Sequence, residues 1–319
     1  YGLGLVVTNE ATAEVTRALF ERNLTAGIHA DGDTVLVLAD VVVRDTLPQA
    51  SDGAGGGGLD LQDGPDAQVD RAAFEGNRDT AVFAIGGETT LRLSDAAVRD
   101  TAGHSVSGTF GRGLGVEGGA VVDVERAVFE RNRDVAAYAS GPSSTLRLTD
   151  VTIRDTLSRE VDGSFGWGLG WALGAQGEAT RVRLDGNREV SLAVFDPGTV
   201  VRMTDLEVHD SLERECAADS CAGRGAGIGL GSYGGASLEV TRFVVTGSTL
   251  CGLQLAHGSD PDTGLPLGSG GTIDLHDGEV YGNPLGANVQ VEDFDVGRLN
   301  DRVLFRDNER NLDATELPV

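Results

Sequence analysis

Residues 126–132 read Arg-Ala-Val-Phe-Glu-Arg-Asn, and this stretch decides the fold because it recurs along the chain. Its last four residues return every 54 or 55 positions with small changes. A second signature of the type Val-Arg-Asp-Thr lies between successive copies, so each repeat contains two related units. The copies of the first signature begin at Phe20, Phe74, Phe129 and Leu184, and those of the second begin at Val43, Val98, Ile153 and Val208.

The residue three positions before each signature is charged, and its sign alternates from one unit to the next. Parallel strands stacked in register lie about 4.8 Å apart, so every cation in such a stack lies between two anions. A neighbouring column alternates in the same way over eight units. The first column is Arg17, Asp40, Arg71, Asp95, Arg126, Asp150, Arg181, Asp205, Arg242, Asp277 and Arg302, and the second is Glu21, Arg44, Glu75, Arg99, Glu130, Arg154, Asp185 and His209.

Apolar residues recur with a period of two ahead of the second signature, as in Leu36 and Leu38, which indicates strands with one buried face. Together with the charge columns, this predicts an all-β fold: a right-handed parallel β-helix of about eleven coils that forms a single domain over residues 1–319. The hand follows from strand twist. An Asn, Thr or Ser six positions after each charged anchor predicts a polar ladder at a turn.

We also expect the paired residues Phe83 with Ile85, Tyr138 with Ser140 and Ala193 with Phe195 to compensate for one another's volume in the core. They occupy equal offsets in successive units.

The segment 148–155, followed by Gly168-Leu169-Gly170, resembles the right-handed parallel β-helix repeat proteins, the superfamily that includes pectate lyases and polygalacturonases. The resemblance covers nearly the whole chain at the level of the repeat and points to no single family. It implies the same fold and a secreted bacterial protein. Residues 1–5 match 112–116, inside a coil, so we expect the natural chain to continue upstream and its upstream portion to be a partner of this segment.

Extra residues follow the ladder Thr or Ser in every second coil, so loops are expected to project from one side of the solenoid. These loops are residues 47–57, 102–111, 157–166 and 212–223. The strand beside them is predicted to present a chemically bare outer face. Its predicted outward residues are Gly4, His29, Asp60, Ala84, Gly115, Ala139, Gly170, Val194, Gly229 and Gln254.

Aromatic residues make up only 5% of the chain, and three of them lie near the loop bases, with Arg112 at the position that matches Trp167. The candidate ligand-binding residues are therefore Phe110, Arg112, Phe165 and Trp167. Alternatively, Phe110 and Phe165 pin the loops to the scaffold. No catalytic residue is assigned, because the outward Asp residues are neutralised by Arg neighbours. The loops nevertheless offer titratable or charged groups to an enzyme: Asp52, His104, Arg112, Arg159, Glu160 and Asp162.

The chain has 25 Lys+Arg against 50 Asp+Glu, a net charge of −25, which argues against nucleic acid as a partner. No apolar run reaches the roughly 18 residues of a membrane-spanning helix, so no membrane insertion is expected. No cofactor is predicted. Acidic stretches at 60–66, 260–264 and 292–295 have oxygens for Ca²⁺, but they lack the pattern of a dedicated calcium loop, and the sequence favours solvation of an acidic surface as their role.

Cys216 and Cys221 lie in one projecting loop, and we expect a disulfide between them that braces it. This pairing predicts an extracellular or periplasmic location. The third cysteine, Cys251, is expected to be a buried thiol.

The sequence thus predicts a non-catalytic, secreted or cell-surface β-helix for display or binding, with a polysaccharide or a surface protein as partner. Two alternatives remain open. One is a polysaccharide lyase or glycoside hydrolase with catalytic groups on the loops, and the other is a purely structural stalk segment.

Overall fold

The chain folds as the predicted right-handed parallel β-helix. The structure, a computed structural model, describes residues 2–215, 227–259, 266–267 and 269–314. Short and long strands alternate along the chain, and one of each forms a coil. The short strands pair in chain order into a 12-stranded parallel sheet and the long ones into an 11-stranded parallel sheet. No helix among the described residues has the length and apolar character needed to cross a membrane.

The described elements are twenty-five strands and one short 3-10 helix. The short-strand sheet contains β1 (Leu5–Val7), β3 (Ala26–Asp31), β5 (Gly57–Gln62), β7 (Thr80–Ile85), β9 (Arg112–Glu117), β11 (Val135–Ser140), β13 (Trp167–Ala172), β15 (Val190–Phe195), β17 (Ile228–Tyr233), β19 (Cys251–Ala256), β23 (Leu285–Val289) and β25 (Arg310–Asp313). The long-strand sheet contains β2 (Thr12–Glu21), β4 (Val35–Arg44), β6 (Asp66–Glu75), β8 (Thr90–Arg99), β10 (Val121–Glu130), β12 (Thr145–Arg154), β14 (Gln176–Asp185), β16 (Val200–His209), β18 (Ser237–Thr246), β22 (Thr272–Tyr281) and β24 (Asp301–Arg306). The antiparallel pair β20 (Gly258–Ser259) and β21 (Pro266–Leu267) and the 3-10 helix Val296–Leu299 complete the set.

The long strands bend at the residues of the first charge column. All eleven of these residues have left-handed φ, between 51° and 59°. This conformation costs about 1–2 kcal/mol for a residue other than glycine. The bends coincide with ion pairs between coils: Arg126 donates to the two carboxylate oxygens of Asp95 at 2.7 and 2.8 Å. Each later Arg pairs with the Asp one coil before it, in the pairs Arg71–Asp40, Arg126–Asp95, Arg181–Asp150, Arg242–Asp205 and Arg302–Asp277.

The alternation places an Arg of the column between two Asp residues, but its hydrogen bonds go to only one of them. Arg126 makes hydrogen bonds to Asp95, whereas it acts on Asp150, one coil further, only through its charge. The hydrogen bonds from Arg126 hold the pKa of the Asp95 carboxyl below its usual value.

The predicted polar ladder runs along the inside of a turn. The fully buried Asn132 accepts hydrogen bonds from the backbone N–H and hydroxyl of Thr101, at 3.3 and 2.7 Å, and donates to the Val98 carbonyl at 2.9 Å. Asn187 bonds in the same way to Thr156 and Ile153. The ladder thus satisfies backbone groups that the strands cannot pair at the turn.

The core between the sheets is apolar, and its largest buried side chain is Trp171. One part of the expected core is wrong: Phe83, Tyr138 and Phe195 lie on the outer face of the short-strand sheet. Their neighbours Ala84, Ala139 and Val194, predicted to face outward, are instead fully buried.

The error is a shift of one residue along the strand. Phe83 pairs with Asp60 and Gly115, and Tyr138 pairs with Gly115 and Gly170, which places all five residues in one outward column. Gly229 also points inward, since a Cβ built there would lie 2.5 Å from the Val245 side chain. The outer face is therefore not bare.

Reversing one charge of the column tests whether the ion pairs stabilise the solenoid. In Arg126→Glu the new carboxylate lies beside Asp95 and near Asp150, so we expect the melting temperature to fall by several degrees at low salt and to recover partly as added salt screens the repulsion. Differential scanning calorimetry measures both effects.

The neutral variant Arg126→Gln is the matched control and should lose less stability than Arg126→Glu. Equal melting temperatures for the two variants would show that the charge alternation contributes nothing to stability.

Candidate functional site

Aromatic rings and guanidinium groups form a row on the loop side of the short-strand sheet, which we call the aromatic strip. Its members are Phe110, Arg112, Tyr138, Arg159, Phe165, Trp167, Phe195 and Tyr233. The Arg112 guanidinium lies 4.8 Å from the Phe110 ring centre and 4.6 Å from that of Tyr138. Further along the sheet, Trp167 lies 4.6 Å from Phe165 and stacks on Phe195 at 5.0 Å.

The four predicted ligand-binding residues thus belong to one strip, in two groups. Phe110 contacts Arg112, and Phe165 contacts Trp167. Arg112 begins β9 and Trp167 begins β13, with Phe110 and Phe165 in the loops just before them, and β11 separates the two strands in the sheet.

Asp134 joins the two groups from beneath. Its side chain is completely buried and accepts hydrogen bonds from Arg112 Nε at 2.8 Å and from Arg159 Nε at 2.6 Å. Arg159 in turn lies 3.6 Å from the centre of the Phe165 ring. The carboxylate therefore fixes the guanidinium groups against which the rings of both groups pack.

Asp134 belongs to a column of acidic residues at the loop bases, with Asp79 and Glu189 at the same place in the adjacent repeats. Each has left-handed φ, between 56° and 64°. Glu189 accepts hydrogen bonds from Arg214 at 2.9 Å and from the Phe165 backbone N–H. Burial raises the pKa of the Glu189 carboxyl.

This column is not among the residues predicted from the sequence, although the sequence carries a signal for it. The tripeptides at 77–79, 132–134 and 187–189 read Asn-Arg-Asp, Asn-Arg-Asp and Asn-Arg-Glu. His104, Arg159 and Arg214 follow the three acids by 25 residues each.

The loops are anchored to the solenoid and to each other. Arg78, Arg133 and Arg188 donate to loop carbonyl groups one coil further on, at 3.0, 2.8 and 2.8 Å. The hydroxyl of Ser105 donates to the Gly53 carbonyl at 2.7 Å and joins the first loop to the second. These contacts form a stacked wall along one edge of the aromatic strip.

Most polar loop residues proposed for an enzyme are used to build this wall. Asp52 and Asp162 accept hydrogen bonds from backbone N–H groups within their own loops, and Glu160 forms an ion pair with Arg133 at 3.2 Å. The His104 ring likewise accepts from the backbone N–H groups of residues 106 and 107.

A cavity of about 370 Å³ opens at the N-terminal end of the strip, between the loop wall and the sheet. Gly55 and Gly57 line it, at the positions that Phe110 and Arg112 occupy in the second repeat. The space therefore exists because the first repeat lacks the two side chains that fill the equivalent region in the second. The lining residues are Thr25, Ala26, Gly55, Gly57, Leu59, Asp60, Gln62, Asp79, Thr80, Phe83, Phe110, Arg112 and Glu117.

The floor of the cavity combines an aromatic ring with polar groups. The Phe83 ring covers Gly115, where an added Cβ would lie 2.9 Å from the ring. Asp60 accepts hydrogen bonds from Gln62 Nε2 at 3.0 and 2.9 Å, and one of its oxygens lies 2.9 Å from His29 Nδ1. The hydrogen bond to Asp60 raises the pKa of the His29 imidazole.

Asp79 differs from the other two acids of its column. Its carboxylate lines the cavity without a hydrogen-bond or ion-pair partner among the residues that the structure describes. Burial raises the pKa of the Asp79 carboxyl, and the negative charge of Asp60 raises it further. The positive charges of His104 and Arg112 act in the opposite direction. A polar group of a ligand is thus able to bind Asp79 without displacing an existing partner.

No group of three or more His, Cys, Asp or Glu residues capable of holding a metal ion occurs within the described ranges. The predicted disulfide between Cys216 and Cys221 lies outside those ranges, as do residues 260–264 of one acidic stretch. Cys251 is a buried free thiol, and burial raises its pKa.

The fold and this site define a parallel β-helix with a loop wall, an aromatic strip and a cavity. No protein-family model matches the chain, and no curated protein matches it in sequence. Among solved structures, the chain is similar to the catalytic unit of a thermostable GH87 α-1,3-glucanase from Streptomyces thermodiastaticus strain HF3-3, with a TM-score of 0.43 and 11% identity. The match covers 99% of this chain and 64% of that chain. So distant a likeness carries no argument about activity.

Removing the Asp134 carboxylate tests its role in holding the strip. In Asp134→Ala two largely buried guanidinium groups lose their shared partner, so we expect the free energy of unfolding to fall by about 3 kcal/mol or more. Chemical denaturation monitored by Trp fluorescence measures the loss.

Asp100→Ala is the matched control. Asp100 also has left-handed φ and also accepts two hydrogen bonds from arginine, but its side chain is 46% exposed. An exposed pair contributes little, so this variant should lose clearly less stability. A loss as large as that of Asp134→Ala would contradict the role given to the buried carboxylate.

Proposed function

We propose that the chain is a carbohydrate-binding β-helix that takes a segment of polysaccharide into the cavity and along the aromatic strip. An extracellular or cell-surface location is part of this proposal. The observation that carries it is the cavity itself, in which the rings of Phe83 and Phe110 lie beside the polar groups of Asp60 and Gln62.

Sugars have an apolar face and polar hydroxyl groups, and the cavity lining has a group that suits each. Their C–H faces pack on aromatic rings, and their hydroxyl groups hydrogen-bond to carboxylates and amides. The cavity volume of about 370 Å³ is in the range of small-ligand sites.

The cavity and the strip together give the proposed site the length for a polymer. Phe83 in the cavity, on β7, and Phe195 in the strip, on β15, are separated by four steps of the short-strand sheet, or about 19 Å at the usual strand spacing. An extended chain lying along the solenoid axis would contact successive rings of the strip. The rigid loop wall would keep it on this path.

Truncating the cavity rings should weaken binding. For Phe83→Ala and for Phe110→Ala we expect about tenfold weaker binding of a recognised polysaccharide, because each variant removes one stacking surface. Affinity electrophoresis against a panel of soluble polysaccharides identifies the ligand, and isothermal titration calorimetry measures the change.

Leu19→Ala is the control, because Leu19 is 55% exposed on the long-strand sheet, away from the cavity. Its affinity should equal that of the wild type. Failure of every polysaccharide in the panel to bind would reject the proposal.

Hydrolysis of a glycosidic bond is a second candidate function, favoured by Asp60 and Asp79 in the same cavity. Glycoside hydrolysis uses one carboxylic acid and one carboxylate. A protonated Asp79 would donate its proton to the leaving oxygen. Asp60 would take a proton from the water that attacks the sugar carbon as the glycosidic bond breaks.

This candidate predicts that the wild type releases new reducing ends from the bound polysaccharide and that Asp79→Asn does not. The acid must be protonated, so the rate should fall as pH rises through the raised pKa of Asp79. A reducing-sugar assay across pH measures it. Binding by the wild type without product at any pH would reject hydrolysis and leave the binding proposal intact.

A further inference from the structure

We infer that the cavity selects a polysaccharide segment with a free amino group and that Asp79 is the partner of the resulting ammonium. The inference rests on the proposed function and names the class of ligand. It follows from the charges that line the cavity, the partners these charges already have and the rings around them.

Three carboxylates and one guanidinium line the cavity: Asp60, Asp79, Glu117 and Arg112. Arg112 is already engaged, because its Nε donates to Asp134 at 2.8 Å and its Nη1 lies 3.4 Å from Glu117. It is therefore poorly placed to receive the carboxylate of an acidic sugar. The excess of carboxylates repels such a sugar as well.

Asp60 also has its partners, since it contacts His29 and Gln62. Among the three lining carboxylates this leaves that of Asp79 without a hydrogen bond from the described residues. The charged groups that act on it are Asp60 on β5, Arg112 on β9 and His104 in the second loop.

A half-buried carboxylate without a partner is destabilised when ionised, and a cation that enters the cavity removes this cost. An ammonium has three donors, which the Asp79 oxygens are able to accept. The rings of Phe83 and Phe110 in the same cavity offer it cation–π contact.

A metal ion fits the cavity less well than an ammonium. Dedicated calcium sites take six or more oxygen ligands. The described residues contain no cluster of three His, Cys, Asp or Glu side chains at a common point. An ammonium needs fewer converging groups, so the lining favours it.

The experiment compares glucosamine oligomers carrying free amines with N-acetylated oligomers of equal length, by isothermal titration calorimetry at mildly acidic pH. We expect the wild type to bind the free-amine oligomer at least about tenfold more tightly, the gain from one charged hydrogen bond. Asp79→Asn should bind both oligomers equally. Asn tolerates left-handed φ, and Asp79 has φ 64°, so the variant should keep the wild-type melting temperature.

Asp123→Asn is the charge-matched control. Asp123 lies on the long-strand sheet with its side chain 47% exposed, so this variant changes the net charge equally without touching the cavity. It should retain the wild-type preference. A preference lost equally in both variants would show general attraction to an acidic chain and would overturn the inference.

Three further results would also overturn it. They are equal binding of both oligomers by the wild type, a preference that survives Asp79→Asn, and equally tight binding of lysine oligomers, which carry ammonium groups on a different backbone. Each leaves the proposed function standing if a polysaccharide still binds. The proposed function fails separately, when no polysaccharide binds at all.

Discussion

Parallel in-register stacking is the constraint on which the rest of this structure depends. It places the same position of successive coils about 4.8 Å apart, so each column of side chains must be compatible with itself along the whole solenoid. A column of identical charges would repel at every step, and alternating Arg and Asp replaces this repulsion by attraction. A column of amides and hydroxyls, such as Asn132 and Thr101, instead bonds to itself and to the backbone at a buried turn.

The first charge column also lies where the backbone adopts an unfavourable conformation. Its residues have left-handed φ at the bend of the long strands, a conformation that suits Asp better than Arg. Arg nevertheless occupies every second coil there. The bidentate contact of Arg126 with Asp95 shows what arginine gains, because its fork matches both carboxylate oxygens of the preceding coil. The arginine of each pair therefore both adopts the unfavourable backbone conformation and forms the ion pair that offsets its cost.

The periodicity of the sequence predicted the fold, the charge columns and the polar ladder, but not the outward face of the short strands. β7 reads Thr-Ala-Val-Phe-Ala-Ile, so both of its faces are largely apolar and the alternation alone does not say which is inside. We assigned the larger residue Phe83 to the core, whereas the core takes the small Ala84. The cavity could not be predicted from the sequence either. It results from the absence of side chains at Gly55 and Gly57, and a missing side chain leaves no functional group to recognise.

The acidic column at the loop bases shows how a structural position becomes available for binding. Arg159 and Arg214 bind the acids Asp134 and Glu189 and complete the support of the aromatic strip. The residue 25 positions after Asp79 is instead His104, whose ring bonds to its own loop backbone and leaves Asp79 without a hydrogen bond from the described chain. The loop that precedes Asp79 has Gly55 and Gly57 where the later loops lead into Phe, Arg or Trp. Losing the cation and the bulky side chains together leaves a carboxylate facing open space, and this combination distinguishes the cavity from the filled strip beside it.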